Sequence, residues 1–405
     1  MDSLWVGVDA GKQHHHAVAI DADGTRKLSR RVANDEASLV ELVDTVGRIA
    51  AAGRVTWAVD LNSGGAALLL AVLLDRGEQV FYIPGRVVHH AAGAYRGDGK
   101  TDAKDAAIIA DQARMRRDLQ PIRVNDEISS ELAILTSRRT DLMRDRTRTI
   151  NRLRALLSSY FPALERTLDI SNVKGAIILL TAYQTPDGLR RMGPARLEAW
   201  LRKNKAYNAS GLAQLAIDAA RSQHVRVAGQ DAAGATVAKW AHHIRYLDRE
   251  MAEVDRDIET RFRRHRKAAV IESMPGFGTL LGAELLAATG GDVSVFGTAD
   301  RFAAVAGLAP VPRDSGRVSG NLHRPRRYDR RLLRTAYLSA QLSIRSCAES
   351  RVYYDRKRAE GKRHTQAVLA LARRRSNVLW AMLRDDALYR PGPEPSQPPP
   401  ARAAA

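Results

Sequence analysis

LWVGVDA at residues 4–10, followed by AVAI at 17–20 and the turn signal DADG at 21–24, decides the reading of the first third of this chain. Apolar positions alternate through the first run, as in a strand with one face on a core, and the run closes on Asp9. Three short runs separated by turns read as three consecutive antiparallel strands. Working outward, the pattern predicts a helix over Ser38–Ala50, a strand over Arg54–Asp60, a helix over Ala66–Arg76 and a strand over Gln79–Ile83 stopped by Pro84. A further helix begins near Asp102, which completes the order βββαβαβα and an α/β domain over residues 1–120.

From residue 121 to 268 the pattern turns helical. Ile128, Leu132, Leu135, Leu142, Ile150, Leu153 and Leu157 fall near a heptad seam interrupted by Arg139 and Arg146. Val237, Trp240, Ile244, Leu247, Met251, Val254 and Ile258 follow at alternating steps of three and four. Both predict long paired helices, either a coiled coil between chains or a two-helix hairpin within one. Residues 269–390 read as a compact, mainly α C-terminal domain, and the Pro-rich residues 391–405 as a disordered tail. The expected fold class is α/β plus mainly α.

The 405 residues are 45% hydrophobic and 27% charged, which excludes a mainly disordered or collagenous chain. A single cysteine, Cys347, excludes a disulfide framework and a multi-cysteine zinc site. The longest apolar runs, Ala66–Leu74 and Gly276–Leu286, are too short or carry a Glu, so neither a membrane span nor a signal peptide is expected. The expected location is cytoplasmic, in association with the nucleoid. Residues 1–124 hold 16 basic and 16 acidic side chains, so the net charge of +19 lies entirely beyond them. A neutral first domain joined to a basic remainder predicts a polyanionic partner for the remainder.

Four acids of the first domain suggest chemistry. Asp9 ends the first strand and Asp60 the fourth, while Asp102 and Asp105 open a helix on neighbouring positions after the loop at 97–100. If the fold gathers them, their repulsion requires compensation, and two Mg2+ ions bound through carboxylate oxygens would supply it. Two metals about 4 Å apart stabilise both oxygens of an in-line phosphoryl displacement. Each acid by itself also fits a strand end or a helix cap. His14, His15 and His16 are alternative metal ligands, but a strand points them to alternating faces and no second group stands at zinc-ligand spacing.

In the basic half, ProGlyPheGly at 275–278 has the form of a helix-hairpin-helix turn, where Gly276 and Gly278 would let backbone N–H groups approach a phosphate. The same motif also occurs as a plain turn between core helices. Arg313, Arg317, Arg324, Arg326, Arg327, Arg330 and Arg331 follow, with Ser315 beside a glycine between the first two. A hydroxyl there would be an exposed nucleophile in an electropositive loop. No His or Lys base is identifiable for it, and a polar loop serine is the simpler reading.

Jointly, several motifs resemble the Piv-type DNA invertases and insertion-sequence transposases. They are GlyValAspAlaGlyLys (7–12), Asp60 with SerGlyGly (63–65), LysThrAspAlaLysAspAla (100–106), SerMetProGlyPheGly (273–278) and AlaGlyLeuAlaPro followed by ArgAspSerGly (306–316). The resemblance implies a RuvC-like, RNase H-type domain with a DEDD-type acid set at Asp9, Asp60, Asp102 and Asp105, a coiled-coil insertion, and a C-terminal transposase domain with Ser315 as nucleophile. It also implies a covalent serine–DNA intermediate in a site composed across subunits, a dimer or tetramer, and, in one branch, a structured guide RNA encoded by the element. Two departures stand out: Asp60 where the family usually has Glu, and ArgArgTyrAspArgArg (326–331) in place of a Lys-Gly-Asn run.

The resulting expectation is a DNA transposase or site-specific recombinase acting on element ends and target DNA. The alternatives are a metal-dependent nuclease or junction resolvase in which water attacks, and a non-catalytic nucleic-acid-binding protein.

Overall fold

The computed structural model describes residues 3–51, 53–62, 64–95, 99, 101–119, 121–122 and 126–391. Ser63, Lys100 and most of the loop at 97–100 lie outside the described residues, as does the tail from residue 392. The chain divides into two compact units, Met1–Asn125 and Asp126–Ala405.

In the first unit, β1 (Leu4–Ala10), β2 (His14–Ile20), β3 (Arg26–Ala33), β4 (Val55–Val59) and β5 (Gln79–Tyr82) form one sheet in the order β3-β2-β1-β4-β5. β1, β2 and β3 pair antiparallel, and β4 and β5 join parallel to β1. The parallel pairings need crossovers, which α1 (Glu36–Ala50) and α2 (Ala67–Asp75) provide. Leu39, Leu42, Val46, Leu69 and Leu73 of these helices are buried with Val6, Val8 and Trp57 of the sheet. Two further helices follow, α3 (Gly85–Ala92) and α4 (Asp102–Met115). The expected order holds except for α3, whose GRVVHHAA sequence presents only Val88 to the interior and too short an apolar pattern to read.

α4 lies unusually close to the sheet. A Cβ on Gly7 of β1 would sit 2.2 Å from both Ala106 O and Ala110 N of α4, so only glycine permits this approach. Thr101 caps the helix by accepting the Lys104 N–H at 3.2 Å, and two acids in the first turn suit the positive end of its dipole.

Among the described residues, the regular structure of the second unit is helical apart from one small hairpin. α5 (Glu127–Tyr160) leads through α6 (Pro162–Thr167), α7 (Lys174–Leu180), α8 (Pro186–Met192), α9 (Pro194–Lys203) and α10 (Ala209–Arg221) to α11 (Gln230–Arg264). α5 and α11 pack antiparallel within the one chain. The two arginines that interrupt the seam are ion-paired across it: Arg139 with Asp255 and Arg146 with Asp248, each at 2.5 Å. Leu153, Leu157, Val237 and Ile244 share a core with α6–α10. Toward the other end of the pair, Leu132, Ile258 and Phe262 share a second core with the C-terminal helices. Those are α12 (Ala268–Ser273), α13 (Thr279–Thr289), α14 (Ala299–Val305), α15 (Arg330–Ser346), α16 (Ala348–Ala359) and α17 (His364–Asp385), with a hairpin of β6 (Val311–Pro312) and β7 (Leu322–His323) between α14 and α15. Among the described residues, no helix is long and apolar enough to cross a membrane.

Candidate functional site

Asp9 is the penultimate residue of β1, and Asp60 follows β4 directly. Because β1 and β4 are parallel neighbours, both carboxylates emerge at the same edge of the sheet. Asp60 Oδ1 accepts the Ala10 N–H at 3.1 Å, which ties the two strand ends together. Asp105 comes from the first turn of α4. A cavity of about 580 Å3 is lined by Asp9, Asp60 and Asp105 together with Lys104, His89 and Tyr95. Three of the four acids singled out in the sequence therefore face one space. Asp102, one turn earlier on α4, is exposed, is absent from that lining and lies near His16 of β2.

Burial pushes the Asp60 carboxyl above its ordinary value, and the negative charge of Asp105 adds to the rise; the Ala10 N–H opposes it. A carboxylate held ionised against such pressure gains from a cation in the cavity. The donors are all hard oxygens, as Mg2+ requires, and the cavity leaves room for water or phosphate oxygens. Among the described residues, however, no group of three or more His, Cys, Asp or Glu side chains is gathered closely enough to hold a metal ion. The acids thus fit a divalent ion in chemistry and line a common cavity, but are not drawn up to ligand distance.

The histidines behave as their alternation predicts. His14 and His16 bond with Arg31 (3.3 Å) and Ser29 (3.0 Å), whereas His15 is buried, 1% exposed. No histidine cluster forms among the described residues. The sequence names His16 only as an alternative metal ligand and does not show its direct register with Asp9, and it gives no sign of Tyr95, whose hydroxyl donates to Asp111 at 2.6 Å and whose pKa burial pushes up to about 12.

In the second unit the ProGlyPheGly turn joins α12 to α13. Gly276 has φ +84°, and a Cβ on it would meet Ser339 O of α15 at 2.2 Å. Packing between helices is by itself enough to require glycine here, whether or not the turn also meets a phosphate. Gly278, at the start of α13, is exposed with open space around it. The turn is held from beneath by Arg375, 7% exposed, which donates to Pro275 O, to Ser339 Oγ at 3.0 Å and to Ser350 Oγ at 3.3 Å. This arginine, the last of three in a row at 373–375, belongs to the interior.

Residues 311–324 form an exposed hairpin. Arg313 N–H donates to Asn321 O at 2.9 Å, and Ser315 and Val318 exchange backbone hydrogen bonds at the tip. The Ser315 hydroxyl has no hydrogen-bond partner among the described residues, so nothing described stands ready to take its proton. Arg313, Arg317, Arg324, Arg326, Arg327, Arg330 and Arg331 are all exposed. The Arg324 guanidinium lies 5.3 Å over the Tyr328 ring, and Arg334 is paired with Glu284. A second basic focus surrounds Tyr353, whose ring is approached by Arg356, Lys357 and Arg374 at 5.0–5.6 Å.

Residues 6–162 match a family model described as "Transposase", and residues 268–355 one described as "Transposase IS116/IS110/IS902 family". The 42 kDa protein of insertion element IS900 from Mycobacterium paratuberculosis is 63% identical over 388 residues, 96% of this chain and 97% of that protein. The 44.8 kDa protein of insertion element IS116 from Streptomyces clavuligerus is 51% identical over 396 residues, 98% of each. The mini-circle putative transposase for IS117 from Streptomyces coelicolor is 28% identical over 392 residues, 90% of this chain and 91% of that protein.

Proposed function

Since this chain belongs to the IS110/IS116/IS902 family of insertion-element transposases, we propose that DNA strand cleavage takes place in the cavity lined by Asp9, Asp60 and Asp105, with Asp102 one helical turn before Asp105. The single observation that carries this reading is the convergence of three acids from β1, β4 and α4 on one space. We read the first unit as RNase H-like of the RuvC kind. The support is a sheet of three antiparallel strands continued by two parallel ones, with acids at the ends of β1 and β4 and α4 packed against β1.

Asp9, Asp60 and Asp105 would hold divalent ions, with Mg2+ as the expected species. The chemistry such ions supply when bound is neutralisation of the charge that builds on the scissile phosphate. The residues of the chain do the rest. The Ala10 N–H orients the Asp60 carboxylate, and Lys104 places a positive charge in the same cavity. In the cleavage step an attacking oxygen forms a bond to phosphorus, the bond to the leaving 3′ oxygen breaks, and that oxygen takes up a proton. With water attacking, the products are a free 3′-OH and a 5′-phosphate. The acid-lined cavity favours this nuclease-like chemistry.

A second reading makes Ser315 the attacking group, so that a strand becomes linked to the protein and can be rejoined without a separate energy source. The observation in its favour is an exposed hydroxyl, without a hydrogen-bond partner among the described residues, in a hairpin between Arg313 and Arg317. Cleaved element ends separate the two. Protein-free ends that persist in Ser315→Ala support water; a covalent adduct lost in Ser315→Ala supports the serine.

The exposed arginines of the second unit support phosphate contacts, which are blind to sequence and do not choose between DNA and a guide RNA. Copurified nucleic acid that resists DNase but not RNase would add an RNA partner.

A further inference from the structure

Asn34 stands between β3 and Asp35, the residue that caps α1. Its side-chain amide donates two hydrogen bonds, to Lys12 O and to Gly65 O, both at 3.0 Å. Its backbone N–H donates to Gln13 O at 2.9 Å. Lys12 belongs to the turn that follows Asp9, and Gly65 to the loop that follows Asp60. These loops touch, because a Cβ on Gly65 would lie 2.8 Å from Gly11 O. Beyond the β1–β4 pairing, which reaches Val8 and Val59, two ties hold the Asp9 and Asp60 segments together: the Ala10 N–H on the Asp60 carboxylate, and the forked amide of Asn34.

Beneath Asn34 lies His15, in the interior of the sheet. Both ring nitrogens of His15 and the Oδ1 of Asn34 are buried without a hydrogen bond of good geometry among the described residues, although Asn34 lies close enough to His15 to favour its protonated form. Burying polar atoms without well-formed hydrogen bonds costs folding free energy. Apolar side chains at these places would fill the space without that cost, but could not donate to two carbonyls at once.

We propose that Asn34 is a positioning residue: its two donated hydrogen bonds lock the loop after Asp9 to the loop after Asp60 and so set the separation of the carboxylates that receive the divalent ion. The proposal rests on the metal reading of the acid-lined cavity. Groups that support metal ligands from behind typically contribute about 10–100-fold to metal affinity.

Mn2+ is the probe, titrated into the full chain and followed by the electron paramagnetic resonance of the free ion, with thermal unfolding measured in parallel. Asn34→Leu keeps the branching and number of side-chain heavy atoms and removes both donors; Asp35→Ala removes the neighbouring cap, whose carboxylate accepts from Ser38 N at 2.9 Å, without touching either loop. The expected result is that Asn34→Leu weakens Mn2+ binding about tenfold or more, while Asp35→Ala lowers the melting temperature and leaves Mn2+ affinity unchanged. Where Asn34→Leu does not fold, Asn34→Thr, which retains one donor, takes its place and is expected to bind more weakly than the unaltered protein. Unchanged affinity in the Asn34 variant that folds, or an equal loss in Asp35→Ala, overturns the proposal. Mn2+ binding that is absent from the unaltered protein, or insensitive to Asp60→Asn, overturns the metal reading itself and this inference with it.

Discussion

Replacing Gly7 by Ala tests whether the approach of α4 to β1 builds the acid-lined cavity. Gly7 lies two residues before Asp9, and the atoms its Cβ would meet, Ala106 O and Ala110 N at 2.2 Å and Ala110 Cα at 2.9 Å, belong to the stretch of α4 that directly follows Asp105. All are backbone atoms, so no side-chain rotation relieves the clash. Ordinary contact begins near 3.4 Å, and α4 must therefore retreat by about 1 Å, carrying Asp105 away from Asp9. Overpacking of this kind costs about 1–3 kcal/mol of stability. A misplacement of about 1 Å among catalytic groups can cost about 10²-fold in rate.

The assay is nicking of supercoiled DNA carrying an element end, in Mg2+, with unfolding in urea measured on the same preparations. The control is Gly47→Ala, at an exposed position of α1 with nothing within 4 Å of the added Cβ, which should gain up to about 1 kcal/mol from helix propensity. Gly7→Ala is expected to remain folded, to be less stable, and to nick about 10²-fold more slowly. A folded Gly7→Ala protein with an unaltered nicking rate would refute the link between this contact and the site.

Three further outcomes are expected. Asp60 has a raised pKa, so the folded state binds its proton more tightly than the unfolded chain; its contribution to stability is present below the ordinary carboxyl value of 3.8 and is lost as pH rises through the folded value. Asp60→Asn should therefore raise the melting temperature of the metal-free protein at neutral pH while lowering nicking by more than the ~10–100-fold typical of a residue that only supports a ligand, and an unchanged nicking rate counts against Asp60 as a ligand. His15, His16 and His265 are held below 6.5 by burial, so the folded state binds fewer protons than the unfolded one; that stability is present above pH 6.5 and is lost on acidification, and urea midpoints should fall between pH 7.5 and 5.5, less steeply in His15→Leu. Gly276→Ala combines a left-handed φ, about 1–2 kcal/mol, with a backbone clash of about 1–3 kcal/mol, whereas Gly278→Ala should cost under about 1 kcal/mol; equal losses in urea unfolding would contradict the packing role given to Gly276.

The sequence by itself determined what depends on local periodicity and composition. Strands β1–β5 are legible because apolar residues alternate or run between turn signals, and the α5–α11 pair because Val237 to Ile258 recur at steps of three and four. The charge division is a count. The family motifs, from GlyValAspAlaGlyLys to ArgAspSerGly, carry the resemblance that the comparisons bear out as a transposase of the IS110/IS116/IS902 kind.

Tertiary structure decided what depends on which segments meet. Asp102 and Asp105 look equivalent on a helical wheel, but the close seat of α4 on Gly7 turns Asp105 toward the cavity of Asp9 and Asp60 and leaves Asp102 exposed. Arg375 and Arg331 are both arginines in basic runs, yet one is buried beneath the turn at 275–278 and the other faces solvent. Asn34 carries no signal of its own in the sequence; its two hydrogen bonds arise because the chain returns past the ends of β1 and β4. The physical reason is common to all three. Periodicity records which face of an element is apolar, whereas the neighbours of a polar side chain are set by packing between elements distant in the chain.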